Sequence, residues 1–120
     1  MKKVVAVIVG TLAEAIKMAP VWFALEQSAT LAPLLISTGQ HREMLNQTLA
    51  VFGLRPQVDL MLMQPGQTLP DVTARVLTSV TTVLRERRPA AVLVQGDTAT
   101  VLGASLAAFC RLFAIEPAAV

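Results

Sequence analysis

The chain has 120 residues, which fits a single domain spanning residues 1–120 and excludes two complete domains. Hydrophobic residues make up 54% of the chain and charged residues 15%, with a formal net charge of +2, so a disordered chain is excluded as well. No segment reaches the roughly 18 consecutive apolar residues of a membrane span, so we expect buried strands and helix faces, and no membrane partner.

The first part of the chain alternates apolar runs with helix-forming segments. Residues 4–9 form a largely β-branched run that ends at a glycine, which predicts a strand covered on both faces, as in a parallel sheet. Residues 13–27 supply helix formers, and Pro20 should kink or split that helix because proline removes a backbone donor. Residues 31–36 predict the second strand.

The middle of the chain predicts a second helix, a short strand and a long amphipathic helix. Residues 41–52 carry apolar side chains at helical spacing, and Gly53 is placed for a C-cap. Residues 58–63 predict a shorter third strand. The long helix has one apolar stripe at three- and four-residue steps, formed by Leu69, Val72, Val76, Leu77, Val80, Val83 and Leu84.

The last part of the chain completes the pattern that indicates the fold class. Residues 91–95 predict a fourth strand, residues 99–111 a helix rich in small residues, and residues 113–115 could begin a fifth strand. Strands that alternate with helices predict an α/β fold, a Rossmann-like open parallel sheet of four to five strands with helices on both faces. Ligands bind such sheets beyond the carboxyl ends of the strands, where the strand order reverses.

Three loops at those strand ends carry the candidate binding residues: Gly10-Thr11-Leu12, Thr38-Gly39-Gln40-His41 and Gly96-Asp97-Thr98. Glycine permits close backbone approach, and free N–H groups at a helix start can hold an anion, although tight strand-to-helix turns explain the same glycines. Asp97 is either a helix N-cap or a catalyst, and His41 is either a local hydrogen-bonding residue or a ligand contact. A single histidine and a single cysteine, Cys110, predict neither a metal site nor an internal disulfide.

Charged residues concentrate at the predicted helix ends. Glu14 and Glu43 fall in first turns, where the helix dipole favours acids, and the run R-E-R-R at residues 85–88 precedes Pro89 at a helix C-terminus, where the dipole favours cations. A nucleic-acid patch is the alternative for that run, but no aromatic residues are interleaved with it, and we expect no nucleic-acid partner. The lone cysteine fits a cytoplasmic protein.

Taken together, the three loops resemble one family, the non-hydrolysing UDP-N-acetylglucosamine 2-epimerases. Residues 10–20 (G-T-L-A-E-A-I-K-M-A-P) resemble that family's G-T-R-P-E-A-I-K-M-A-P, residues 38–45 its T-G-Q-H-R-E-M-L, and residues 95–98 its Q-G-D-T. The resemblance covers nearly the whole chain. It implies the N-terminal domain of the family, which is one half of a GT-B-like architecture with two Rossmann-like domains.

The resemblance also implies an activity and a set of site residues. Members interconvert UDP-N-acetylglucosamine and UDP-N-acetylmannosamine for cell-surface polysaccharide synthesis, by eliminating UDP to give a glycal and adding it back after the C2 proton returns on the other face. Asp97 would match a catalytic carboxylate, and Gly10, Thr11 and Thr98 would lie beside the substrate. No cofactor is implied. Positions near a second, regulatory UDP-sugar pocket would be matched by Gln40, His41, Glu43 and Gln67.

The departures from the family pattern concern the diphosphate and the last residues. Leu12 and Ala13 stand where the family has Arg and Pro, so the resemblance implies that the cation expected near the diphosphate is missing. By register, Ala119 falls where the family has a catalytic Glu, in a segment H-V-E-A-G-L-R-T. The second, UDP-gripping domain of the family is not included in these 120 residues.

Two functional hypotheses follow, from different classes. The first is an excised, altered or degenerate epimerase half that is inactive alone and binds a UDP-sugar weakly or not at all. The alternative is an engineered or degenerate α/β module without ligand, which self-associates through exposed apolar surface. A third hypothesis is that the chain is a shortened piece of an ordinary active epimerase. Leu12 and Ala13 argue against it, because shortening alone would not change these residues. We expect a homodimer or a larger oligomer.

Overall fold

A computed structural model of the chain describes residues 1–40 and 42–112. His41 and residues 113–115, where a fifth strand could begin, lie outside the described residues. The elements in chain order are β1 (Lys3–Val9), α1 (Leu12–Glu26), β2 (Leu31–Ser37), α2 (Arg42–Val51), β3 (Val58–Asp59), α3 (Leu69–Arg87), β4 (Ala91–Leu93) and α4 (Ala99–Leu112).

The strands form one parallel sheet in the order β3-β2-β1-β4. Val7 of β1 is paired with Leu35 of β2 on one side and with Leu93 of β4 on the other. Because β2 and β4 flank β1, the strand order reverses at β1. The predicted Rossmann-like α/β fold is thereby confirmed, with four strands in the part of the chain that the structure describes.

Two apolar cores lie on opposite faces of the sheet. Side chains alternate along a strand, so Val5, Val7 and Val9 of β1 pack with α1 and α2, whereas Ala6 and Ile8 pack with α3 and α4. No more than 5% of any of these five side chains is exposed. The uninterrupted apolar run of β1 is therefore explained by burial on both of its faces.

Helix α4 lies close to α3 because its facing residues are small. A β carbon built on Gly103 would lie 2.7 Å from Cγ1 of Val76 and 3.0 Å from the carbonyl oxygen of Thr73. Ala104 and Ala107 of α4 are completely buried in the same core. The small residues of α4 thus permit close packing against α3 as well as against the sheet.

Helix α2 is terminated by Gly53, as predicted. Gly53 has a φ of 72°, in the left-handed region that glycine adopts readily. Its N–H donates to the carbonyl oxygen of Ala50 at 3.0 Å, and the N–H of Leu54 donates to that of Leu49 at 2.8 Å. This pair of hydrogen bonds is the Schellman motif, which satisfies carbonyl groups that the helix leaves free.

One prediction about the helices is wrong and another is wrong in part. Of the two outcomes predicted for Pro20, a kink or a split, the split does not occur, because α1 is one helix from Leu12 to Glu26. Pro20 and Ile16 are both exposed, so water can satisfy the carbonyl group that proline leaves without a donor. Leu69, predicted on the buried stripe of α3, is 69% exposed, because it is the first residue of the helix and the buried stripe begins at Val72.

Strand β3 covers only Val58–Asp59 and not the predicted residues 58–63. The N–H groups of Leu60 and Leu62 still donate hydrogen bonds of 2.9 Å to backbone carbonyls at the end of β2. Met61, which lies between them, has a φ of 50°, a left-handed conformation that interrupts the pleat of a strand. The segment therefore continues beside β2 without forming a regular strand.

Strand β4 is also shorter than the predicted residues 91–95, because its pairing with β1 ends where Leu93 lies opposite Val7. The residues that follow leave the sheet and form the loop into α4. No helix within residues 1–40 and 42–112 is long and apolar enough to cross a membrane.

Candidate functional site

The loops that follow β1 and β4 lie next to each other, at the point where the strand order reverses. The first contains Gly10 and Thr11 and leads into α1, and the second comprises residues 94–98 and leads into α4. Parallel α/β sheets bind ligands in the crevice at such a reversal. These two loops, with the loop after β2 beside them, form the candidate site.

The Glu14 side chain joins the two loops. It extends from the first turn of α1 and is only 2% exposed. Its Oε1 accepts a 2.8 Å hydrogen bond from the N–H of Gly10, and its Oε2 accepts a 2.6 Å hydrogen bond from the hydroxyl of Thr98. The favourable position in the helix dipole is therefore only part of the role of Glu14. Its side chain also joins the loop after β1 to Thr98, which lies 84 positions after Glu14.

These bonds occupy two hydrogen-bond donors of the candidate site. The N–H of Gly10 and the hydroxyl of Thr98 both donate to Glu14. Thr11 is 7% exposed and begins α1 through its carbonyl oxygen, which accepts the N–H of Ala15 at 3.1 Å, while its side chain makes no cap hydrogen bond. Two of the predicted substrate-binding residues thus have donors engaged within the protein.

The glycine after β1 is required by the packing of the chain itself. A β carbon built on Gly10 would lie 2.5 Å from the hydroxyl oxygen of Thr38 and 2.9 Å from Cβ of Thr100. The Thr100 hydroxyl donates to Oε1 of Gln40 at 2.7 Å, so its oxygen accepts the hydrogen of the Thr38 hydroxyl at 2.9 Å. This chain of hydroxyl groups ties the loop after β2 to the start of α4.

Asp97 is not the N-cap of α4, and that explanation of its presence is wrong. Thr98 caps the helix, since its carbonyl oxygen accepts the N–H of Leu102 at 3.1 Å and its hydroxyl oxygen accepts the N–H of Val101 at 3.4 Å. Asp97 lies one position before the cap and is exposed. Within the described ranges no group hydrogen-bonds to its carboxylate, which is accessible to a ligand.

The residues matched to a regulatory pocket are not joined to one another by hydrogen bonds in the described part of the chain. The amide oxygen of Gln40 is engaged at the start of α4. Gln67 uses both ends of its amide inside the loop before α3, in bonds of 2.9 and 3.1 Å. Glu43 is exposed in the first turn of α2, and His41 lies outside the described residues.

Sequence reasoning missed Glu14 and Thr100 as residues that build the site. A signal for Glu14 was available, because a glutamate four positions after the glycine that ends a strand can reach back to the glycine N–H. Thr100 gave no local signal, since its partners Thr38 and Gln40 are 62 and 60 positions away.

Two surface cavities lie away from this crevice. One of about 590 Å³ lies at the amino end of β4, between Leu84, Arg88 and Phe109, and none of the described carboxylates lines it. The other, of about 400 Å³, lies beside Gln67 and Asp71 at the start of α3. No group of three or more His, Cys, Asp and Glu side chains among residues 1–40 and 42–112 is arranged to hold a metal ion. At the crevice itself, the Asp97 carboxylate is exposed.

Comparison with known proteins identifies the family of this chain. The family model for UDP-N-acetylglucosamine 2-epimerase matches residues 23–115. The Escherichia coli K12 UDP-N-acetylglucosamine 2-epimerase is 48% identical over 105 residues, which is 88% of this chain and 28% of the relative. The Neisseria meningitidis serogroup A enzyme is 46% identical over 105 residues, with the same coverage of 88% and 28%.

Solved structures of this family share the fold. The Neisseria meningitidis UDP-GlcNAc 2-epimerase, solved bound to UDP-GlcNAc, superposes with a TM-score of 0.85 and 46% identity over 93% of this chain and 30% of its own. The Methanocaldococcus jannaschii enzyme, solved with UDP-GlcNAc and UDP, gives a TM-score of 0.82 and 31% identity over 91% of this chain and 30% of its own.

This chain spans less than a third of the length of these relatives, since the shares of their length that it covers lie between 28% and 30%. The family model nevertheless covers most of the chain, from residue 23 to residue 115. The chain therefore belongs to the UDP-N-acetylglucosamine 2-epimerase family.

Proposed function

We propose that this chain supplies one wall of the active site of a UDP-N-acetylglucosamine 2-epimerase, where Asp97 acts as an acid–base carboxylate on the sugar. The observation that carries the proposal is the position of Asp97. Its carboxylate is exposed, has no hydrogen-bond partner in the described residues, and follows β4 at the reversal of strand order. Asp97 could otherwise have been explained as a helix cap or as a member of an ion pair. The cap of α4 is Thr98, and no ion pair with Asp97 is present among the described residues.

The chemistry of the reaction explains why one wall is not sufficient. Inversion at C2 requires a proton to leave on one face of the sugar and to return on the other, so acid and base groups are needed on both faces. Asp97 supplies one such group. The partner carboxylates and the groups that stabilise the departing UDP would come from the rest of a GT-B-like enzyme.

Phosphate binding by this wall alone should be weak. The N–H of Gly10 and the hydroxyl of Thr98 are both occupied by Glu14, and Leu12 offers no positive charge to a diphosphate. A UDP-sugar would therefore gain few charge-assisted hydrogen bonds here. We accordingly propose that the chain by itself does not turn over substrate.

A turnover assay tests this proposal. The purified chain is incubated with UDP-N-acetylglucosamine, and the products are separated to detect UDP-N-acetylmannosamine. No product is expected from the chain. Formation that is abolished by Asp97→Asn would contradict inactivity while supporting the role of Asp97, and formation that survives Asp97→Asn would contradict both.

Self-association is a second candidate property, favoured by the surface of α4. Leu102, Leu106 and Phe109 fall on one face of this helix and are 55%, 41% and 59% exposed. We propose that this stripe supports a homodimer or larger oligomer of a cytoplasmic protein. Light scattering should give a mass above that of one chain, and Leu106→Glu should lower it. The control Ile16→Glu, on the other side of the sheet, should not; a monomeric wild-type chain would refute the proposal.

A further inference from the structure

The loop that carries Asp97 is tied to a buried side chain through the residue that follows Asp97. Thr98 donates its hydroxyl hydrogen to Oε2 of Glu14 at 2.6 Å. Gly96, which precedes Asp97, leaves open the space beside Glu14, where a β carbon would lie 3.6 Å from Cγ of Glu14. Thr98 is thus hydrogen-bonded to Glu14, while the carboxylate of Asp97 has no partner in the described residues.

The opposite end of this contact is equally fixed. Oε1 of Glu14 accepts the N–H of Gly10, so the carboxylate is attached to the end of β1, an inner strand of the sheet. Gly96 has a φ of 114°, a conformation that glycine adopts readily and other residues rarely do. Glycine therefore permits the turn before Asp97, and the bond from Thr98 to Glu14 ties the turn to β1.

Burying a carboxylate is costly unless its hydrogen bonds are satisfied, and no salt bridge to Glu14 is present among residues 1–40 and 42–112. An apolar residue could fill this position without that cost. What it could not do is accept the N–H of Gly10 and the hydroxyl of Thr98 at the same time. A buried carboxylate at position 14 is therefore explained by the connection that it makes between the two loops and not by the filling of space.

We propose that Glu14 is a positioning residue, which holds the loop 96–98 on the end of β1 so that the Asp97 carboxylate faces the substrate in one geometry. The inference rests on the proposed role of Asp97. Catalytic groups must be held within a fraction of an ångström of the productive position, and supporting hydrogen bonds to the adjacent backbone are the usual means. Glu14 acts on Asp97 through its hydrogen bond with Thr98.

NMR relaxation of the chain tests the role of Glu14 directly. In the wild-type chain the amides of Gly96 and Asp97 should have order parameters of about 0.85, the value of a rigid backbone. Glu14→Leu fills the position of Glu14 but accepts neither the N–H of Gly10 nor the hydrogen of Thr98, and it leaves the Thr98 cap intact. In this variant and in Glu14→Ala we expect the order parameters at Gly96 and Asp97 to fall below about 0.6.

Control and rescue variants separate positioning from general destabilisation. Glu86→Gln removes an exposed glutamate on α3 and should leave the loop rigid. Thr98→Val removes the N-cap of α4 together with the bond to Glu14, so a loosened loop in this variant supports the inference only if Glu14→Leu, which keeps the cap, loosens it too. Thr98→Ser, which restores the hydroxyl, should return the order parameters to wild type. A loop that stays rigid in Thr98→Val contradicts the inference even if the Glu14 variants do not fold.

The result that would overturn the inference is a rigid loop in Glu14→Leu or, if that variant does not fold, in Thr98→Val. The proposed function fails by a different observation, namely that UDP-N-acetylglucosamine leaves the Asp97 amide resonance of the wild-type chain unshifted at any concentration. A loosened loop together with a shifted Asp97 resonance supports both statements. A rigid loop with a shifted resonance rejects only the role of Glu14.

Discussion

Gly10 and Thr100 are in such close contact that a β carbon on the glycine would lie 2.9 Å from Cβ of the threonine. The Thr100 side chain is completely buried and belongs to the hydroxyl chain that ends at Gln40. The contact brings the end of the central strand against the first turn of α4. Glycine after β1 is thus explained by the close approach of another part of the protein, and a ligand is not needed to account for it.

Gly10→Ala should therefore destabilise the fold. The new methyl group would overlap the threonine side chains, and overpacking of this kind costs about 1–3 kcal/mol. Urea unfolding of wild type and variant measures the difference. The matched control is Gly66→Asn, at a position with a φ of 78° and no atom within 4 Å of a built β carbon, where asparagine is tolerated. Equal losses in the two variants would contradict the close-contact explanation.

Substitution of Thr98 should lower the unfolding free energy more than substitution of Asp97. Thr98→Ala removes the N-cap of α4 and should lower the unfolding free energy by about 0.5–2 kcal/mol. Asp97→Ala removes an exposed side chain without a partner in the described residues and should change it by less than about 0.5 kcal/mol. Thermal and urea unfolding distinguish them. A larger loss at Asp97 than at Thr98 would show that Asp97 has a structural role.

Gly53→Ala should weaken the end of α2. The residue has a φ of 72°, and a side chain in this left-handed conformation costs about 1–2 kcal/mol. Gly53→Asn should cost less, because asparagine adopts the conformation more readily. Urea unfolding of the three proteins gives the order wild type, asparagine variant, alanine variant; an alanine variant as stable as wild type would contradict the Schellman motif.

Asp71 should make the stability of α3 depend on pH. The N–H of Thr68 donates a 3.1 Å hydrogen bond to its carboxylate, and this bond, followed by a hydrogen bond from the Thr68 side chain to the carboxylate, lowers the pKa of Asp71 below its usual 3.8. Because the folded-state pKa is the lower one, the stabilisation is present above pH 3.8 and is lost as the pH falls through the folded-state value.

The variant Asp71→Asn tests this dependence. It should be less stable than wild type at pH 7, and the gap should narrow as the pH falls below 3.8, because the wild-type carboxyl then becomes protonated. Urea unfolding across this range measures the gap, with Glu86→Gln as the charge-matched control. A gap of the same size at both ends of the range would show that the carboxylate charge plays no part in the cap.

The fold was predictable because its signals are local. The buried run of β1, the stripe from Val72 to Leu84 and the glycine after α2 each follow from the period of the side chains or from a single backbone requirement. The wrong predictions arose at single residues whose backbone conformation or exposure the local pattern does not determine. Met61 interrupts β3 in a left-handed conformation, and Pro20 is accommodated because it lies on the exposed face of α1.

The candidate site was only partly predictable. Asp97, Gly10 and Thr98 could be placed at strand ends from the sequence, and the structure brings the loops that contain them together. The two connections that organise the crevice could not be read from local patterns, because the partners of Glu14 and Thr100 are up to 84 positions away. A hydrogen bond between distant loops depends on strand order, which periodicity alone does not determine.

The most direct test of the proposed site is to map where a UDP-sugar contacts the chain. The amide resonances of the isotope-labelled chain are followed while UDP-N-acetylglucosamine is added to millimolar concentration. We expect the largest chemical-shift changes at Gly10 and residues 96–98, in the crevice between the ends of β1 and β4. Shifts clustered instead at Leu84 and Phe109, around the cavity at the other end of the sheet, would contradict it.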